Sequence, residues 1–216
     1  TFGKGGRAVR DKLENGVFIG FWGRRSVHIL DCRLGVCYCS MADFGKKRLY
    51  MQKILVTGAA GFIGFHTAMH LKDVVGIDNF NNYYSPKLKR DRAKELAKAN
   101  IAVIEGDIND RELLKKIINE HKITTIVHLA AQAGVRYSIE NPESYLKANV
   151  EGFLNILEVL RLFPKIKLIY ASSSSVYGLN QKTPYSETDV TDQQASLYGV
   201  TKKMNELMAR NYHHLY

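Results

Sequence analysis

The sequence predicts an α/β fold: a parallel sheet wound on both faces by helices. Three observations predict it. Five short, continuously apolar runs recur along residues 51–216. Segments with helical spacing separate them. A glycine-rich turn, Gly58-Ala-Ala-Gly61-Phe-Ile-Gly64, joins the first run to the first helical segment. Strands covered on both faces read as unbroken apolar runs, and a strand–helix alternation is how parallel neighbours are connected.

Taken in order, Lys53–Thr57 is the first strand, ended by Gly58. Phe62–Lys72 follows with helical spacing, and Val74–Asp78 is a second strand closing on an acid. Pro86–Asn100 is polar and alanine-rich, which predicts a surface helix. Ile101–Glu105 is the third strand. Asp110 is placed to cap a helix running to Glu120, with Leu113, Leu114, Ile117 and Ile118 on its buried side. Thr125–Leu129 is the fourth strand. Asn141 before Pro142 is a cap followed by proline at the first helical position, and that helix runs to about Leu162. Lys167–Ala171 is the fifth strand, and a last helix spans about 195–212.

Residues 1–50 read differently. The chain has 216 residues and a formal net charge of +10, of which +6 falls on 1–50 and +4 on 51–216. The same segment holds all three cysteines, the single tryptophan and eight of the 17 glycines. It shows no sustained strand or helix periodicity and is read as a leader outside the domain. His28, Cys32, Cys37 and Cys39 do not have the paired-CxxC spacing of a metal site, so no metal is expected. The domain proper is 51–216, free of cysteine and of any membrane-length apolar run, which predicts a cytoplasmic protein without disulfides. Its basic groups are scattered among acids, so neither nucleic acid nor membrane is an expected partner.

The glycine turn is the first candidate site. Glycines between a strand and a helix let backbone N–H groups approach a pyrophosphate at the helix N-terminus, where the dipole favours negative charge. Asp78, twenty residues beyond Gly58 and ending the second strand, is placed to accept hydrogen bonds from an adenosine ribose. It would repel a 2′-phosphate, which favours NAD over NADP. Asp107, just past the third strand, is either an adenine contact or an ordinary loop acid.

The second candidate site is Tyr198-x-x-x-Lys202, whose spacing puts both side chains on one helix face. A phenol with a pKa of about 10 is a poor base at neutral pH, and a nearby ammonium would lower that value. Ser172–Ser175 directly follow the fifth strand, at the carboxyl edge where open α/β sheets bind ligands. One of these hydroxyls could relay a proton to the phenol.

These motifs together resemble the extended short-chain dehydrogenase/reductases, in particular the NAD-dependent nucleotide-sugar epimerases and dehydratases. The matching stretches are VTGAAGFIG at 56–64, GIDNFN at 76–81, GDIND at 106–110, HLAAQAGVRYS at 128–138, KANVEG at 147–152, ASSSSVYG at 171–178 and SLYGVTKK at 196–203. The resemblance implies a Rossmann-type doubly wound sheet and an NAD cofactor. It implies Tyr198 as the base, Lys202 as its partner and Ser173 as the relaying hydroxyl. It places Gly58, Gly61, Phe62, Ile63, Gly64, Asp78, Asn79, Asp107, Ile108, Leu129, Ala130, Ala131 and Asn149 along the NAD site, with Tyr198 and Lys202 at its catalytic end.

The dehydratases of this kind carry an Asp-Glu pair where this sequence has Ser174 and Ser175, so dehydration is disfavoured. DNFNNYYSPKLKRDR at 78–92 and AGVRYS at 133–138 are most similar to the 4-epimerases of UDP-glucuronate. The implied reaction is conversion of UDP-glucuronate to UDP-galacturonate through a 4-keto intermediate, with Ser174 and Arg136 near the sugar; Arg136 as a plain loop residue is the alternative. UDP-glucose 4-epimerase, a dehydratase or decarboxylase of the same fold, and an NAD-binding fragment without activity are the other readings. Such enzymes form homodimers through helices that here fall near 142–162 and 195–212. The resemblance also implies a sixth strand and a substrate domain after Tyr216, and hence that this chain alone is poorly active.

Overall fold

The computed structural model describes the backbone of residues 19–23 and 26–30, and residues 52–216 in full. Seven strands form one sheet: β1 (Ile19–Gly23), β2 (Ser26–Leu30), β3 (Ile54–Thr57), β4 (Val74–Asp78), β5 (Ala102–Glu105), β6 (Thr125–His128) and β7 (Lys167–Ala171). Their spatial order is β2-β1-β7-β6-β3-β4-β5. The five strands β7 to β5 are all parallel, as the unbroken apolar runs predict.

Residue parity explains why these runs do not alternate with polar residues. Leu55, Ile126 and Leu168 point into one core, with Leu114, Phe153, Ile156 and Ala209. Their neighbours Val56, Val127 and Ile169 point into a second core on the opposite face, with Ala68 and Leu96. The helices that supply these residues are α1 (Phe62–His70) and α2 (Pro86–Lys98) on the second face. On the first face lie α3 (Arg111–His121), α6 (Gly152–Leu162) and α7 (Leu197–Leu215). Burial on both faces takes β4 and β6 wholly out of water, and each fully buried aliphatic side chain stabilises the fold by about 1.5–3 kcal/mol.

Local signals fix the helix starts. The Asp110 carboxylate accepts from Leu113 N–H at 2.9 Å, capping α3. Asn141 Oδ1 accepts from Ser144 N–H at 3.3 Å at the head of the short α5 (Pro142–Tyr145). Ser196 Oγ accepts from Gly199 N–H at 3.1 Å and caps α7. The helix expected over 142–162 is present but not uniform: α5 passes into a π-helical segment, Leu146–Glu151, before α6. A further short helix, α4 (Tyr137–Glu140), precedes it.

The sequence reading places no element before Met51, yet the β1–β2 hairpin pairs antiparallel with the outer edge of β7. Arg24-Arg25 between the two strands carries none of the glycine or asparagine signals of a tight hairpin, which is why the sequence does not announce it. The edge of β7 offers unpaired backbone groups that such a hairpin satisfies. Cys32, Cys37 and Cys39 lie outside the described residues. Among the described residues no group of side chains converges as a metal site. No helix among them is long and apolar enough to cross a membrane.

Strand order reverses at β3. From it the chain steps outward through β4 to β5, then returns through α3 to β6 on the other side. The carboxyl ends of β3 and β6 therefore diverge into two different loops, leaving a crevice at the point where such sheets take ligands.

Candidate functional site

A cavity of about 300 Å³ fills that crevice. Nine of the residues assigned to a cofactor from sequence line it: Gly58, Gly61, Asp78, Asn79, Asp107, Ile108, Leu129, Ala130 and Ala131. They come from the ends of four adjacent strands, so the sheet itself brings them together.

Gly58 adopts φ +71°, and a Cβ on it would lie 2.8 Å from Ala130 N. A Cβ on Gly64 would lie 2.0 Å from the Gly58 carbonyl. Only glycine permits this turn to fold tightly against both α1 and the β6 loop. The result is a backbone cradle at the N-terminus of α1. Phe62 and Ile63 do not line the cavity; they sit on the first turn of α1 with 53% and 45% of their surface exposed.

Asp78 is buried, and its two oxygens accept from Ala60 N–H at 3.0 Å and Phe80 N–H at 2.8 Å. Those bonds tie the acid to the glycine turn and fix its direction. Asn79 Nδ2 donates to Asp107 Oδ2 at 3.0 Å, joining the ends of β4 and β5. Burial opposes the charge on Asp107, but bonds from Asn79 and Asn109, with Lys147 nearby, hold its pKa below the ordinary value.

On the other side, Thr57 Oγ1 accepts from Leu129 N–H at 3.2 Å and Ala130 N–H at 3.1 Å. Its own proton therefore goes to His128 Nδ1, 2.8 Å away. Burial, with the Lys202 charge adding to it, pushes the His128 pKa down to about 3. The imidazole is neutral and serves as a fixed acceptor under the loop.

Asn149, assigned to the cofactor from sequence, is not in the cavity wall. Only 1% of it is exposed, and its amide is spent on protein: on both backbone groups of Gln132 and on Thr201 Oγ1. It holds the cavity wall rather than forming it.

Tyr198, Lys202 and Ser173 converge at the carboxyl end of β7. Ser173 caps the turn Ser174–Tyr177, its Oγ accepting from Ser175 N–H at 3.2 Å. The same side chain faces the Tyr198 phenol and works to lower its pKa. Burial pushes that phenol above its ordinary pKa, and Ser173 only partly offsets the rise. Lys202, expected from the sequence as the partner of the phenol, spends a hydrogen bond on the backbone. Its Nζ donates to the Ala171 carbonyl at 3.1 Å. Burial pulls the Lys202 pKa to about 8 while Glu206 supports its charge. Ser172 points away, donating to Glu206 Oε1 at 2.6 Å. Arg136 is exposed beside α4, and no contact joins it to these serines among the described residues.

Sequence reasoning did not assign several other lining side chains, among them Lys89, Lys147, Tyr83 and Tyr84. Gln132 lines the cavity and is buried, and its Nε2 has no hydrogen-bond partner among the described residues. The tight backbone cradle, the acid at the end of β4 and this orphaned amide all fit a dinucleotide.

A doubly wound sheet, a glycine cradle at its switch point and a Tyr-x-x-x-Lys helix together define an extended short-chain dehydrogenase/reductase domain. The chain belongs to the family described as GDP-mannose 4,6 dehydratase, which it matches over residues 55–216. It is 54% identical over 168 residues to UDP-glucuronate 4-epimerase 4 of Arabidopsis thaliana, a match covering 76% of this chain and 38% of that protein. The chain thus spans about two fifths of the length of the curated relatives it matches. Among solved structures, it is similar to the UDP-glucuronic acid 4-epimerase of Bacillus cereus in complex with UDP-glucuronic acid and NAD. That match has a TM-score of 0.67 and 35% identity, over 76% of this chain and 53% of that one. The UDP-glucose 4-epimerase of Brucella ovis in complex with NAD gives a TM-score of 0.66 and 31% identity, over 76% and 49%.

Proposed function

We propose that the chain carries the cofactor-binding and catalytic groups of an NAD-dependent nucleotide-sugar 4-epimerase, and that UDP-glucuronate and UDP-galacturonate are its substrate and product. One observation carries the reading. The Ser173 hydroxyl, the Tyr198 phenol whose pKa it lowers and the buried Lys202 stand at the end of β7, with serines, not acids, at 174 and 175. That set can move a proton to and from a sugar hydroxyl and has no group at those positions to expel one as water. The resemblance to UDP-glucuronate 4-epimerases supports the choice of sugar.

When bound, NAD supplies the hydride acceptor and donor. Gly58, Gly61 and Gly64 would hold its pyrophosphate at the head of α1, Asp78 its adenosine ribose and the Leu129–Ala131 wall the rest. Tyr198 takes the proton of the sugar C4 hydroxyl, with Ser173 as the relay. The phenol starts too weak a base because burial raises its pKa. The positive charges of Lys202 and of the oxidised nicotinamide ring are what bring it into range. With the 4-keto sugar turned over, the hydride would come back to the opposite face of C4, and Tyr198 returns the proton to the C4 oxygen. Ser174, half-buried beside Ser173, is assigned to the sugar. We also assign a homodimer to the outer faces of α6, α7 and the π-helical segment before α6, which expose Leu162, Leu207 and Leu146.

The test is incubation with UDP-glucuronate and, separately, UDP-glucose, with products resolved by NMR. UDP-galacturonate from the first alone is the expected result. UDP-galactose from the second would overturn the choice of sugar, and a 4-keto-6-deoxy product would overturn epimerisation. Release of NAD from the denatured protein checks the cofactor independently.

A further inference from the structure

Three consecutive residues at the end of β7 each meet a side chain of α7. The Ala171 carbonyl accepts from Lys202 Nζ at 3.1 Å. Ser172 Oγ donates to Glu206 Oε1 at 2.6 Å. Ser173 faces the Tyr198 phenol. Tyr198, Lys202 and Glu206 stand four residues apart, so one face of α7 presents all three to one strand end. The mechanism above uses the first two. Glu206 has no part in it.

Lys202 is 4% exposed. An ammonium buried to this degree needs an offsetting charge, and a carbonyl supplies only a partial one. The titratable groups around it come from three elements. His128 on β6 is held neutral by burial. Tyr170 on β7 is held protonated by burial, with the Glu206 charge adding to the effect. On α7 itself stand Tyr198, Lys203 and Glu206. Glu206 is the one carboxylate among the described residues whose charge supports Lys202. Its side chain is 11% exposed, and Lys203 Nζ lies 3.7 Å from its second oxygen. Ser172 on one oxygen and Lys203 beside the other fix the carboxylate in place.

We infer that Glu206 is a positioning residue of the catalytic set: its carboxylate supplies the counter-charge that keeps the Lys202 ammonium at the end of β7, where Tyr198 needs it. The inference rests on the reading of Tyr198 and Lys202 as the proton-transfer groups. Glu206 acts by charge rather than by shape, and two variants separate the two. Glu206→Gln keeps the length and an oxygen for Ser172 but loses the charge. Ser172→Ala loses the hydrogen bond and keeps the charge. Burial already pulls Lys202 to about 8. An ammonium is present below its pKa and lost above it, so removing the counter-charge moves that loss to lower pH.

The experiment follows the lysine Cε signals of the full chain by carbon-13 NMR against pH, with Lys202 identified by its absence in Lys202→Met. It needs no turnover. The native midpoint is expected near about 8. Glu206→Gln lowers it by about one pH unit or more, and Ser172→Ala by less than about half as much. An unmoved midpoint in Glu206→Gln, or an equal shift in Ser172→Ala, overturns the inference. The pH profile of kcat with UDP-glucuronate is then compared. Its alkaline limb moves with the midpoint in Glu206→Gln, while KM changes by less than about twofold. A midpoint that moves while the limb stays would instead overturn the reading of Lys202 as the partner of Tyr198. Each variant is first melted to check folding. If Glu206→Gln does not fold, Glu206→Met with Ser172→Ala removes both partners of the bond at once. The same fall in midpoint is expected there, and an unmoved midpoint overturns the inference.

Discussion

The Asn149 side chain holds both ends of the Gln132 peptide unit, accepting from its N–H at 2.7 Å and donating to its carbonyl at 3.0 Å. The same amide donates to Thr201 on α7, and the Asn149 carbonyl accepts from Asn205 at 2.7 Å. One residue thus ties the cavity wall to the catalytic helix across 52 positions of sequence. It sits in the π-helical segment, a geometry found mostly at functional sites. Asn149→Ala leaves buried partners unpaired, each costing about 1–3 kcal/mol. The expected loss is about 3 kcal/mol in urea unfolding, and Asn149→Asp does not rescue it, because its second carboxylate oxygen would face the Gln132 carbonyl with no proton to donate. A fall below about 1 kcal/mol would show that the clasp is not structural.

His128 makes stability depend on pH. Its folded pKa of about 3 lies below an unfolded value of about 6.5, so the folded state binds fewer protons between the two. This contribution is complete above pH ~6.5 and is lost as pH falls toward about 3, at up to about 1.4 kcal/mol per pH unit. Denaturant unfolding from pH 8 to pH 4 should show that decline. His128→Asn should flatten it while lowering stability at pH 8, through loss of the Thr57 bond. An unchanged slope in the variant would assign the decline to other groups.

Local patterns were legible in the sequence, and long-range ones were not. The five parallel strands, the glycine turn and Asp78 follow from spacing within a few dozen residues, and the structure places them together. Asn149 was found by its motif but misread as a cavity lining, since its partners lie 17 and 52 residues away. Gln132 and Lys89 look like ordinary polar residues until folding buries them. The expected Tyr198–Lys202 coupling came from helix spacing, the serines after β7 and the family resemblance. Spacing cannot show that burial outweighs the ammonium, or that the Ala171 carbonyl takes the lysine's hydrogen bond.

Gly64→Ala tests the cradle. The added Cβ would meet the Gly58 carbonyl at 2.0 Å, backbone against backbone, so the turn must open. Loss of NAD+ binding by about tenfold or more is expected in titration, together with a lower unfolding midpoint, since overpacking costs about 1–3 kcal/mol. Retained affinity would show that the pyrophosphate is held elsewhere.

Leu207 tests the assigned homodimer. It is 55% exposed on α7, and Leu162 on α6 is 59% exposed. Leu207→Lys should leave the fold intact and shift the sedimentation profile toward the monomer. A native chain that sediments as a monomer at every concentration would remove the assignment.

Tyr198→Phe separates chemistry from binding. The ring keeps its edge-on contact with Tyr145, 6.1 Å between centroids, so the fold should change little. Only the hydroxyl facing Ser173 is lost. Removing a general base costs roughly 10²–10⁴ in rate, and the fall should appear in kcat rather than in KM. Ser173→Ala should cost less, because the phenol remains and solvent can replace the relay. NMR of UDP-galacturonate formation measures both, with NAD+ titration as the control for binding. Equal losses in the two variants would mean that Ser173 is more than a relay. Undiminished turnover in Tyr198→Phe would place the base on another residue.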